Sequence, residues 1–369
     1  MKNLKIKEIE SILTPPGNGV FTVKTAEDVI SGVQEEIYQE KDKEKIISLW
    51  KKSLSEIETT KLPLLLGVCS DCGGGIHRGA NWGPLFVRKS LQEICRDIKY
   101  HDVGDIRIIP HLLHDKYLNE TTINECSTFL FDQDQRHLPV SPLSLTEYFC
   151  DQINSLEDQK KIFAIGGDHS VSYPLVRSWI RSRKARGKKV AIIHFDAHTD
   201  LMEKRQGIDY CFATWAYQIL EDLGDPKNLI QLGIRSSGQN KEYWEKTTGV
   251  QQYWANEISV STASNISDEI IDYLTKKEID ELYVSFDIDA IDEKYASATG
   301  TPEPDGLSPE LPHLILGPIL EKFKLTGADM VEVAPWVDRE MGANGTAAIE
   351  STLLVAGSIS NFLIENLSE

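Results

Sequence analysis

The feature that most constrains this chain is a series of short, almost wholly apolar runs, several of which end in acidic and histidine residues. Leu64–Val68, Lys161–Ile165, Lys189–His194, Leu229–Leu232, Glu281–Phe286 and Met330–Val333 are leucine-rich or β-branched. Runs of this kind predict strands buried on both faces, as in a parallel sheet. Between them, Ser172–Arg186 and Asp268–Lys277 carry apolar residues at helical spacing. Ser308-Pro-Glu-Leu predicts a helix with a serine cap and a proline at its first position, and residues 347 to 366 predict a closing helix. Strands alternating with helices predict an α/β fold, here a single three-layer α/β/α domain with a mostly parallel central sheet. Residues 62–369 are assigned to that domain. Residues 1–61, mixed and charged, are assigned to an N-terminal helical extension.

In such sheets, functional groups gather beyond the carboxyl ends of the strands. One run leads into Gly166-Gly-Asp-His-Ser170, a second into His194-Phe-Asp-Ala-His-Thr-Asp200, and a third into Ser285-Phe-Asp-Ile-Asp-Ala-Ile-Asp292. A carboxylate against apolar chain is costly to bury, and neighbouring carboxylates repel. A divalent cation answers both problems. Asp196, His198 and Asp200 stand at i, i+2 and i+4, so in extended chain they share a face. Asp287 and Asp289 repeat the spacing, and His169 completes a set of carboxylates and imidazoles. With no thiolate, the set suits Mn²⁺ or a similar borderline ion better than structural zinc. It is too large for one open catalytic ion and fits two that share ligands. Two ions roughly 3.5 to 4 Å apart can hold a water and bring its pKa near neutrality. Read singly, the first motif could be a turn into a helix, the second a solvated loop and the third an edge strand. Their occurrence together after apolar runs favours a metal site.

The formal net charge of −18 argues against a nucleic-acid partner and favours cationic ligands. The one dense basic run, Arg181–Lys189, lies between a helix pattern and a strand and reads as a solvated helix end. No apolar stretch is long enough to span a membrane, and Met1–Glu8 does not read as a secretory signal; a soluble cytoplasmic protein is expected. Cys69, Cys72, Cys95, Cys126, Cys150 and Cys211 are irregularly spaced, which predicts free thiols. No Walker-type loop or nucleophile elbow occurs, and Gly73-Gly-Gly75 reads as a substrate-side loop.

The three acidic motifs, with Gly300-Thr-Pro-Glu-Pro-Asp-Gly-Leu307 and Val331-Glu-Val-Ala-Pro335, resemble the ureohydrolase family of arginases and agmatinases. His77-Arg-Gly-Ala-Asn-Trp-Gly-Pro and Asp102-Val-Gly-Asp105 are similar to the early part of that family's domain. The resemblance covers roughly residues 62 to 365. It implies that His169, Asp196, Asp200 and Asp287 hold one metal and that His198, Asp196, Asp287 and Asp289 hold the other. The metals by family would be Mn²⁺, with Ni²⁺ as the alternative. A shared hydroxide would attack the guanidinium carbon, Asp200 would move its proton to the leaving nitrogen, and Glu332 would anchor the substrate cation. A homo-oligomer, trimer or hexamer, is implied, and a metal-maturation partner is conceivable.

Two departures stand out. Many arginases and agmatinases carry a His-Gly pair after the Asp-x-His-x-Asp motif. Here the stretch is Tyr210-Cys-Phe-Ala-Thr-Trp-Ala216, with Phe212 nearest the histidine's place. The long N-terminal region is the second departure. Together they resemble the branch acting on free guanidine, with Phe212, Thr214, Trp215 and His77 as candidate pocket residues; Tyr217 joins the aromatic set. The aromatics read equally as core packing. Agmatine, guanidinobutyrate and arginine are the alternative substrates, and a formimidoylglutamase-like hydrolase or a non-catalytic metal-binding homologue is more remote. A binuclear phosphoesterase lacks the later histidines it would need, and a one-metal deacetylase would not need the second Asp pair.

Overall fold

A computed structural model describes residues 4–20, 24–94, 99–337 and 346–368. One sheet organises them. Its strands are β1 (Leu13–Thr14), β2 (Leu64–Val68), β3 (His101–Ile106), β4 (Ile162–Gly166), β5 (Val190–Phe195), β6 (Leu229–Ile234), β7 (Gln251–Trp254), β8 (Glu281–Asp287) and β9 (Lys324–Val331). Their spatial order is β1-β3-β2-β4-β9-β8-β5-β6-β7. All neighbours run parallel except β1 with β3.

Both faces are buried, which is why the strands read as continuous apolar runs. Alternate residues enter different cores. Leu64, Leu66, Val190 and Ile192 join Trp50, Phe149 and Trp179 on one side. Leu65, Ala191 and Ile193 join Leu91, Ile270, Ile315 and Ile359 on the other. Helices Pro142–Asn154 and Ser172–Ala185 cover the first face. Helices Gly83–Ile94, Ala263–Lys277, Leu311–Leu320 and Thr346–Ser368 cover the second, giving three layers.

Three expectations shift. The closing strand runs Lys324–Val331 rather than 330–333, because Glu332 turns out of it with a left-handed backbone (φ 62°). The helix expected from Ser308 starts at Leu311: Ser308 closes a turn by accepting Leu311 N–H, and the proline in the first helical turn is Pro312. Residues 4–61 carry helices Ile6–Ile12, Glu27–Tyr38 and Lys43–Leu54, but they also supply strand β1. Their Ile9, Ile12, Trp50 and Leu54 lie in the first core.

β3 and β7 have no apolar signature. In β3 the buried Asp102 and Asp105 are matched by Arg88, whose side chain is fully buried; Nε lies 2.8 Å from Asp102 and an η nitrogen 2.6 Å from Asp105. Cys69, Cys72, Cys126, Cys150 and Cys211 carry free thiols; Cys95 lies outside the described residues. Among the described residues, no helix is long and apolar enough to cross a membrane.

Candidate metal centre

β4, β9, β8 and β5 are neighbours in the sheet, so the residues just past their carboxyl ends converge. β4 delivers His169, β5 delivers Asp196, His198 and Asp200, β8 delivers Asp287 and Asp289, and β9 delivers Glu332. Close approach at this end requires glycine: a Cβ on Gly167 would sit 1.7 Å from the carbonyl oxygen of Ser70.

His169 Nδ1 lies 3.2 Å from Asp196 Oδ2, 3.2 Å from Asp200 Oδ2 and 3.0 Å from Asp287 Oδ2. It is fully buried and has no directed hydrogen-bond partner. His198 Nδ1 faces Asp289 Oδ2 at 3.1 Å and Asp196 Oδ1 at 3.4 Å. Asp196 thus belongs to two groups of ligand atoms, one including His169 and Asp200 and the other His198 and Asp289. Asp200 and Glu332 both hold left-handed backbones, φ 52° and 62°, a conformation that non-glycine residues keep where surroundings enforce it.

The electrostatics ask for positive charge. Burial and then Asp196 push Asp200 upward, and burial with Asp289 and Asp196 pushes Asp287 well up. Burial opposes a charged His169, yet the nearby carboxylates of Asp196, Asp200 and Asp287 hold it well above its ordinary range. A buried imidazole forced toward the cationic form, with an unpartnered nitrogen aimed at three carboxylates, marks a place where a metal cation fits better than a proton.

Outer partners orient these groups. His169 Nε2 bonds Ser285 Oγ at 3.1 Å, and that hydroxyl donates to Asp329 at 2.7 Å. His198 Nε2 faces Glu303 Oε1 at 3.3 Å. Arg235 fixes the Glu303 turn by donating to carbonyls of Asp289, Glu303 and Pro304. Glu332 Oε1 accepts the His169 backbone N–H at 2.8 Å.

The candidate pocket residues fall in different places. Phe212 packs near Gly75, its N–H bonding Gly73, and the Arg205 guanidinium lies 4.6 Å over its ring. Trp215 is fully buried, donates to Asp200 Oδ2 at 2.9 Å, and stands 4.8 Å from the His169 ring. Thr214 is buried with its hydroxyl bonded to the backbone of Asp209 and Cys211. His77 is exposed; its carbonyl lies 3.2 Å from where a Cβ of Gly300 would be. The sequence reading passed over His194, Glu303, Arg235 and Asp329. For His194 the signal was present: it stands in β5 two positions before Asp196, which lies just past the strand's end, and its ring meets that carboxylate.

A parallel sheet whose neighbouring strand ends bring buried carboxylates and imidazoles together is the arrangement of an α/β metal-dependent hydrolase. The family model of the arginase family matches residues 63–357. The agmatinase of Bacillus anthracis is 29% identical over 290 residues, covering 74% of this chain and 84% of that protein. The agmatinase of Halalkalibacterium halodurans is 32% identical over 289 residues, covering 78% and 88%. The solved structure of proclavaminate amidino hydrolase from Streptomyces clavuligerus superposes with a TM-score of 0.62 at 25% identity, covering 83% of this chain and 91% of that one. The chain belongs to the arginase family, whose members use a binuclear divalent metal centre, and it is a hydrolase of carbon–nitrogen bonds in linear amidines.

Proposed function

We propose that the chain hydrolyses free guanidine to urea and ammonia, with His169, Asp196, Asp200 and Asp287 holding one divalent ion and Asp196, His198, Asp287 and Asp289 the other. When bound, the ions supply Lewis acidity and lower the pKa of a water. Mn²⁺ and Ni²⁺ both suit this donor set.

The chain's own groups do the rest. Glu332 has Oε1 engaged by the His169 N–H, and its Oε2 lies 3.7 Å from where a Cβ of Gly300 would be. Oε2 receives an N–H of the planar substrate cation. Asp200, held by the Trp215 indole, takes the proton of the attacking water and delivers it to the leaving nitrogen. Burial of these carboxylates keeps bulk water out and strengthens their hold on a cation.

The choice of substrate rests on Phe212, which stands nearest the place of the family's histidine, with the Arg205 guanidinium 4.6 Å over its ring. Read as one wall of the substrate site, this cationic aromatic pair favours a compact substrate and opposes one with a distal ammonium. Agmatine is the second reading, and it is the one the relatives named agmatinase favour over guanidine. A urea-release assay across guanidine, agmatine, arginine, guanidinobutyrate and formimidoylglutamate, with Mn²⁺ and with Ni²⁺, decides: release from agmatine without release from guanidine rejects the first reading. The protein is proposed to be a cytoplasmic homo-oligomer.

A further inference from the structure

His194 lies among the carboxylates, and its position groups it with His169, Asp196 and Asp200 as a possible ligand. The hydrogen bonds around it assign it another task. Gln252 on β7 pairs with Gln231 on β6, and Gln231 pairs with His194 on β5. The three buried side chains form a row across the sheet.

The polarity of that row is fixed from both ends. The Trp254 indole only donates, and it meets Gln252 Oε1 at 2.9 Å. Gln252 Nε2 is left to donate to Gln231 Oε1 at 2.8 Å. Gln231 Nε2 faces the Thr199 carbonyl, which only accepts, at 2.7 Å, and His194 Nδ1 at 2.9 Å. Reversing either amide would set donor against donor at Trp254 or acceptor against acceptor at Thr199. His194 Nδ1 therefore accepts, and the ring is the neutral Nε2–H tautomer. Its Nε2–H donates to Asp196 Oδ2 at 2.9 Å. A nitrogen that carries a proton has no lone pair for a metal.

We propose that His194 is a positioning residue, not a ligand, and that Gln231, Gln252 and Trp254 hold it in the tautomer that orients the Asp196 carboxylate. Asp196 Oδ1 accepts the His198 backbone N–H at 2.6 Å and Oδ2 accepts His194, so both oxygens are pinned. The shared carboxylate is thereby set before any ion arrives, and strand β7 near the sheet edge reaches the centre through three buried side chains. The proposal rests on the reading of Asp196 as a metal ligand; the tautomer does not.

The test combines two readouts on the full chain. Solid-state ¹⁵N spectra of histidine-labelled protein, with the His194 signal assigned by its loss in His194→Asn, are expected to show one protonated and one bare nitrogen, the proton on Nε2. Gln231→Leu and Gln252→Leu are expected to weaken calorimetric Mn²⁺ binding roughly 10- to 100-fold, as loss of an outer partner does. Gln231→Glu, whose carboxylate can only accept, is expected to put a proton on Nδ1. An Nδ1–H tautomer in the unaltered chain overturns the proposal, and that spectrum decides even if a variant fails to fold. Unaltered Mn²⁺ binding in folded Gln231→Leu and Gln252→Leu overturns it too. An unaltered chain that takes up neither Mn²⁺ nor Ni²⁺ overturns the metal reading, and the positioning role with it.

Discussion

The indole N–H of Trp215 donates to Asp200 Oδ2 across 2.9 Å, and both side chains are buried. The bond holds the carboxylate assigned to proton transfer in a strained backbone turn (φ 52°). Trp215→Phe keeps an aromatic ring and removes the donor, together with part of the buried indole's volume. It is expected to lower kcat about 10- to 100-fold with little change in KM, the size seen when an outer partner of a metal ligand is lost. Steady-state kinetics on guanidine check this; a raised KM with unaltered kcat would place Trp215 in substrate binding instead.

Glu303 acts on the other histidine. Its Oε1 faces His198 Nε2 at 3.3 Å, fixing Nδ1 as the nitrogen turned toward Asp196 and Asp289. Both side chains are partly open to water, with relative exposures of 24% and 29%, so screening weakens the bond. Glu303→Gln is expected to reduce affinity for one of the two ions by about 10-fold, the low end for such partners. A two-site calorimetric titration with Mn²⁺ reads it, and two unaltered constants would remove Glu303 from the account.

Asp71 gives a pH dependence. Burial first, and then Asp168, raise its carboxyl to about 7. Below about pH 4 the group is protonated folded or unfolded and contributes nothing. Between there and pH 7 the folded chain binds the extra proton, so stability falls as pH rises, levelling off above 7. Asp71→Asn keeps an acceptor for the Gly79 N–H and removes the charge. In the metal-free chain its melting temperature should exceed the parent's by a margin that grows from pH 4 to 7 and then stays constant. A margin that shrinks with rising pH contradicts the assignment.

Arg88 holds two buried acids, and Asp105 in turn accepts the backbone N–H of Gly19 at 2.8 Å. Arg88→Met strands both carboxylates and should cost about 3 to 5 kcal/mol. Urea unfolding measures the loss, and hydrogen exchange should rise first around residues 13–20. A cost below about 1 kcal/mol would show the ion cluster to be dispensable.

The strands that build the site were legible because burial on both faces left apolar runs, and the candidate ligands because acids and histidines followed them directly. β3 and β7 were not, because their interiors are polar: Asp102 and Asp105 answer Arg88 from another element, and Gln252 answers Gln231 across the sheet. Such pairings exist only in three dimensions. The strand in residues 13–14 was hidden for a different reason: two residues carry no period. The roles of Glu303 and Arg235 depend on a turn brought to His198 from more than a hundred positions away.

The central claim is that two cations share Asp196. Anomalous diffraction from Mn²⁺-loaded crystals measures it directly. The account predicts two peaks, one beside His169 and Asp200 and one beside His198 and Asp289, both within bonding distance of Asp196. A single peak, or two with Asp196 bound to neither, would contradict it.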